Sequence, residues 1–110
     1  MGKMSRTKGA AGERELAACL RDYGFDCRRT AQYCGKTGDA SDVVGLPGIH
    51  IECKRVERFL LYPSLEQAKR DAEAAKNGDV PVVFHRQNGK PWVCVLELNE
   101  FMKLYEGRKT

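Results

Sequence analysis

Nowhere does this 110-residue chain carry an apolar run long enough to cross a bilayer, so no membrane-spanning helix is expected. Its N-terminal basic residues have no apolar stretch behind them, so no signal peptide is expected either. The five cysteines, Cys19, Cys27, Cys34, Cys53 and Cys94, include no Cys-x-x-Cys pair, and no histidine stands at zinc-ligand spacing. That argues against a disulfide framework and a structural zinc, and predicts reduced thiols in a cytoplasmic protein. No repeat, low-complexity stretch or interdomain linker is present. At this length the chain fits one domain with one core, so a long substrate would lie across its surface or across a dimer.

What the chain does have is charge, unevenly placed. The net charge is +4; residues 1–38 hold eight Lys or Arg against four acids, and the remainder holds eleven of each. A local positive field suits a polyanion, with a solvated basic tail as the bland alternative. Residues 1–8 show no periodicity and carry Lys3, Arg6 and Lys8, which predicts a flexible basic arm.

Leu16, Cys19, Leu20 and Tyr23 recur at helical spacing, predicting a first helix from Gly9 to Tyr23 with Gly24 as its stop. Glu13 stands on that stripe, a carboxylate where core is due; a first-turn acid favoured by the helix dipole is the structural alternative. Residues 25–30 alternate as a short strand that puts Arg28 and Arg29 on opposite faces. The polar loop 31–40, with Gln32, Tyr33, Lys36 and Asp39, has the length of substrate-contacting loops. A second helix is expected over 64–77, with Ser64 and Gln67 as a capping box and Leu65, Ala68, Ala72 and Ala75 as its inner stripe. Strands are expected over 80–86 and 91–96, joined by an Asn88-Gly89 turn. Leu98, Phe101, Leu104 and Tyr105 mark a last short helix before a charged tail, 107–110. The order α-β-β-β-α-β-β-α predicts one α/β domain, residues 9–106, with a central mixed β-sheet flanked by helices.

Residues 41–54 are the stretch that packing alone does not explain. If Leu46-Pro47-Gly48 forms a hairpin loop, Gly45 pairs with Ile49 and Asp42 falls opposite Glu52. His50, Glu52 and Lys54 then share one face, and Ile49, Ile51 and Cys53 point to the other. Two acids and a lysine on adjacent half-buried strands cost repulsion and desolvation unless a cation joins them. Carboxylate oxygens are natural ligands for Mg²⁺, with Glu52 and Asp42 binding it directly and Glu13 directly or through a water. Lys54 is placed to orient a water or to stabilise charge on a phosphate.

These residues resemble the PD-(D/E)xK nuclease superfamily: Asp42, Glu52-x-Lys54 ten residues on, and Glu13 on an opening helix. The chain looks most like the small archaeal-type and phage-type Holliday junction resolvases. Lys8-Gly9-Ala10-Ala11-Gly12-Glu13-Arg14-Glu15-Leu16 resembles their opening and Gly24-Phe25 the end of their first helix. The likeness runs to about Arg86. It implies a restriction-endonuclease-like fold and Mg²⁺-dependent cleavage, with Mn²⁺ as a substitute. It also implies Glu13, Asp42 and Glu52 as metal ligands, the Cys53 carbonyl as a further one, and Lys54 as the catalytic lysine. Some relatives place a functional Gln after the lysine strand, which makes Gln67 an auxiliary candidate in competition with its capping role. Ser41-Asp42 departs from the family's Pro-Asp, and Asp39 is a rival strand ligand; Asp42 is preferred because it precedes an apolar strand and falls opposite Glu52.

The function expected is a metal-dependent endodeoxyribonuclease, a Holliday junction resolvase acting on branched DNA as a homodimer. It needs no small-molecule cofactor and no membrane, and it belongs to the cytoplasm of a bacterial, archaeal or phage-infected cell. The alternatives are a catalytically silent DNA-binding module of the same fold and a nuclease of flaps, nicks or duplex. Lys3, Arg6, Lys8, Arg28, Arg29, Tyr33 and Lys36 are the candidate DNA contacts. His50 is expected as a half-exposed strand residue, His85 as ordinary surface and Trp92 as core.

Overall fold

Eight elements run in the expected order: α1 (Gly2–Asp22), β1 (Arg28–Arg29), β2 (Val43–Val44), β3 (Ile49–Arg55), α2 (Leu61–Ala75), β4 (Val80–Arg86), β5 (Val93–Val95) and α3 (Leu98–Lys109). This computed structural model describes the backbone of residues 2–30 and 42–109 and the side chains of 9–30 and 42–107. The strands form one sheet in the order β1-β2-β3-β4-β5. Only β3 and β4 run parallel, because α2 crosses over between them; the other neighbours are antiparallel, so the sheet is mixed as expected.

The hairpin has the register its loop predicts, with Val43 opposite Ile51. Gly45 and Gly48 both take positive φ, at 115° and 82°. At Gly45 a Cβ would lie 2.3 Å from the Asp26 carbonyl oxygen, so the chain before β1 can pass only over a glycine.

Alternation along β3 divides the core. Ile51 faces α1, where Leu16, Ala17, Cys27, Val43, Val82 and Phe84 are buried with it. On the other face Val83 of β4 packs under Leu65 and Ala68 of α2. Small residues on α2 let it lie close to the sheet, directly above His50, Glu52 and Lys54.

Several boundaries differ from expectation. Helix α1 starts at Gly2, so residues 2–8 continue the helix where an arm was expected. It ends in a Schellman motif, Phe25 N–H donating to the Leu20 carbonyl and Gly24 N–H to that of Arg21. Leu16 and Ala17 form its inner face, and Tyr23 is 76% exposed at the fraying end. Strand β1 is only two residues long, since Phe25 lies in that capping turn. Helix α2 begins at Leu61, with no side-chain cap on Leu60. Pro63 fits its first turn, where a backbone N–H would have no partner anyway. Ser64 is therefore a buried helical residue and the capping box is not formed. Helix α3 continues through the expected tail to Lys109.

Candidate active site

Gly12 sets the distance between α1 and the sheet. A Cβ there would fall 2.5 Å from Arg55 Cβ at the end of β3, so only glycine allows this approach. The next residues use it. Glu15 pairs with Arg55 at 2.8 Å and also with Arg86. Glu13 accepts from Arg29 Nε at 2.8 Å, tying α1 to β1. Arg29 is thus engaged with an acid rather than presented to solvent, while Arg28 is exposed.

Asp42 stands just before β2, and its Oδ2 accepts the Cys53 N–H at 2.8 Å. The N–H and C=O of one strand residue point to the same edge, so the Cys53 carbonyl points to the edge that Asp42 occupies. Glu52, 3% exposed, lies within hydrogen-bonding reach of the Asp42 carboxyl. Burial pushes both acids up, Asp42 to about 6 and Glu52 to about 8. For Glu52 the neighbouring Asp42 charge adds to the rise, and for Asp42 the Cys53 hydrogen bond opposes it. Burial and the same acids also drive the Cys53 thiol up, so it is no thiolate ligand.

Lys54 lies 3.9 Å from Glu52 Oε2 and donates to Gln67 Oε1 at 3.1 Å. Of the two readings of Gln67, the structure favours the contact with the lysine. Glu13 does not join Asp42 and Glu52 in a close group; its charge reaches Asp42 only as a lesser contribution.

Among the described residues, the group spaced to share a cation is His50, Glu52 and Asp71, with ligand atoms all within 4.8 Å of one another. His50 is 1% exposed, not half-exposed, and burial lowers its pKa. His85 is also buried, stacked on Phe59 at 4.0 Å with its Nδ1 2.9 Å from the Lys54 carbonyl oxygen. Asp71 was missed from the sequence, yet a signal existed. Helix α2 runs antiparallel to β3, and four helical residues advance about 6 Å while two strand residues advance about 6.6 Å. With Gln67 over Lys54, Asp71 one turn later must lie over Glu52. Trp92, expected as core, is half-buried and packs against the core cluster rather than within it. Tyr33, Lys36 and Asp39 lie outside the described residues, as do the side chains of Lys3, Arg6 and Lys8.

Comparison with known proteins then decides the family. A family model described as archaeal Holliday junction resolvase (Hjc) matches residues 4–107. The chain belongs to that family. As a Holliday junction resolvase family member it is a nuclease acting on branched DNA. The solved structure of Archaeoglobus fulgidus Hjc, a Holliday junction resolvase from an archaeal hyperthermophile, matches with a TM-score of 0.59. Identity is 24%, over 81% of this chain and 72% of that one, a likeness of fold. No curated relative matches in sequence. The family match extends past Arg86, where the sequence resemblance faded, and takes in β5 and most of α3. No helix among the described residues is long and apolar enough to cross a membrane.

Proposed function

We propose that this resolvase-family nuclease cuts branched DNA with a divalent cation, Mg²⁺ or in its place Mn²⁺, held at Asp42 and Glu52. The observation that carries the reading is the pair itself: a half-buried and a buried carboxyl within hydrogen-bonding reach, both pushed up, with Asp42 tied to the Cys53 backbone. Such a pair stays protonated or recruits a cation, and hard oxygen donors suit Mg²⁺. Asp42, Glu52 and the Cys53 carbonyl would hold the ion, with Glu13 completing the set through a water or after leaving Arg29. When bound, such an ion would supply Lewis-acid chemistry at a phosphate oxygen and a nearby water. Lys54 orients that water or meets charge developing on the phosphate, and Gln67 holds the ammonium in place. Asp71, whose charge further raises Glu52, deepens the negative field that attracts the cation. Arg28 and the basic N-terminal residues meet phosphates, together with Tyr33 and Lys36; Arg29 contributes by steadying Glu13.

A four-way junction needs two symmetric incisions, and two copies of a small domain related by a twofold axis are the simplest means of supplying them. The working unit is thus a homodimer in the cytoplasm. Cleavage of labelled four-way junction, flap and linear duplex, by wild type and by Lys54→Ala, tests this reading. Mg²⁺-dependent cutting of the junction that falls by at least about 10²-fold in Lys54→Ala is expected. Equal cutting of all three substrates would remove branch selectivity. Binding without cutting would favour a silent DNA-binding module.

A further inference from the structure

Helix α2 carries an acid on the edge of its buried side. Asp71 stands seven residues after buried Ser64 and three after Ala68, directly before Ala72, and is half-buried where the helix meets the sheet. Beneath it, His50 and Glu52 on β3 are 1% and 3% exposed. A His50 ring nitrogen, a Glu52 oxygen and an Asp71 oxygen all lie within 4.8 Å of one another. Donors ~2.1 Å from a common ion stand up to ~4.2 Å apart, so these three need to close by less than an ångström. The approach to Glu52 differs from that of Asp42. Asp42 comes from the β2 edge, where it accepts the Cys53 N–H, whereas Asp71 comes from the helix above the sheet. Along β3, Lys54 stands on one side of Glu52, 3.9 Å away, and His50 on the other. The charges of Asp71 and Asp79 both act on the His50 ring. A cleft of about 450 Å³ between the β2–β3 loop and the end of α2 reaches His50 and has Asp79 in its wall, which gives a small ion a path from solvent.

We propose that His50, Glu52 and Asp71 form a second divalent-cation site, one that takes a first-row transition ion and shares only Glu52 with the Asp42 site. The inference stands beside the proposed function rather than on it. An imidazole and two acids gain nothing for packing where a helix meets a central strand, and burying them there costs desolvation and repulsion that a cation offsets. The donor set states the class of ion. Mg²⁺ takes oxygen ligands and dehydrates reluctantly, whereas Mn²⁺, Co²⁺ and Zn²⁺ accept imidazole nitrogen and carboxylate oxygen together. Cys53 packs on the α1 face of the sheet, so no thiolate joins the set from β3. Three protein donors leave positions open for water. A carboxylate has two oxygens, so Glu52 can meet one ion toward Asp42 and another toward Asp71.

Electron spin-echo spectroscopy of Mn²⁺ bound to the full chain tests the proposal, because a ligating imidazole nitrogen modulates the echo and a carboxylate oxygen does not. Mn²⁺ is the weakest binder of its row and so a strict probe. The chain has two histidines, and the Nδ1 of the other, His85, is engaged with the Lys54 carbonyl. Wild type is expected to show nitrogen modulation that persists in Asp42→Asn and under excess Mg²⁺ and vanishes in His50→Gln. In Asp71→Asn, Mn²⁺ affinity at this site is expected to fall by at least about 10-fold. That half-buried, isosteric change decides the matter if His50→Gln does not fold. Wild type without nitrogen modulation, modulation that survives His50→Gln or is lost to excess Mg²⁺, or unchanged affinity in Asp71→Asn would each overturn the proposal. Loss of modulation in Asp42→Asn would overturn it too, by merging the two sites. A nitrogen-coupled ion on a chain that cuts no DNA would remove the nuclease reading and leave this site, whereas Mg²⁺-dependent cutting without such an ion would remove this site and leave the nuclease.

Discussion

Glu52 concentrates the conflict between folding and function in one side chain. Its ordinary pKa of 4.5 is raised to about 8 by burial and by Asp42, whose own value is raised from 3.8 to about 6. Between these limits the folded protein holds more protons than the unfolded chain, so stability falls as pH rises. It is full below about pH 4 and is lost as pH climbs through about 8. Thermal unfolding of metal-free protein should therefore show Tm dropping from pH 5 to pH 8, with added Mg²⁺ restoring more at the higher pH because the ion displaces protons. Glu52→Gln should flatten the profile, raising Tm at pH 8 by about 4–8 °C per kcal/mol recovered, and should abolish the Mg²⁺ response. A wild-type Tm that is flat or rising over this range would contradict the buried-acid account. The sequence made the misfit of Asp42, Glu52 and Lys54 legible because strand alternation is local. It hid the burial of His50 and His85, which depends on α2 and Phe59 arriving from elsewhere in the chain.

Among the elements, the β2–β3 hairpin does most to build the site, and its two glycines carry different loads. Gly48 needs only its positive φ, since a Cβ there meets nothing, whereas Gly45 needs the φ and also lies against the Asp26 and Cys27 backbone. Gly48→Ala should cost about 1–2 kcal/mol in urea unfolding. Gly45→Ala should cost more, by a further ~1–3 kcal/mol, because backbone must move. Equal costs would refute the close packing of β1 on the hairpin. The register of this hairpin was readable from its three-residue loop. The start of α2 was not, because Pro63 and Ser64 both read as helix openers. Packing of Leu65 and Ala68 on the sheet, not a side-chain cap, sets the helix, and that freed Gln67 for Lys54. At α3 the periodicity showed a helix but not which way its apolar side would face.

The whole molecule gathers its acids where the central strand β3 meets the chain entering β2, with α2 lying over them. Element order, mixed sheet and the Glu52–Lys54 core of the site were legible in the sequence, since each rests on local spacing. The place of Glu13 beside Arg29, and of Asp71 over Glu52, depended on how the helices settle on the sheet. The central claim is that paired copies cut branched DNA through the Asp42–Glu52–Lys54 site. Incubation of supercoiled plasmid that extrudes a cruciform tests it most directly, because two coordinated cuts across the junction give linear DNA and a single cut gives nicked circles. Linear product is expected only with Mg²⁺ or Mn²⁺, only from the plasmid carrying the inverted repeat, and not from Lys54→Ala. Nicked circles alone, or equal cutting of a plasmid without the repeat, would contradict the account.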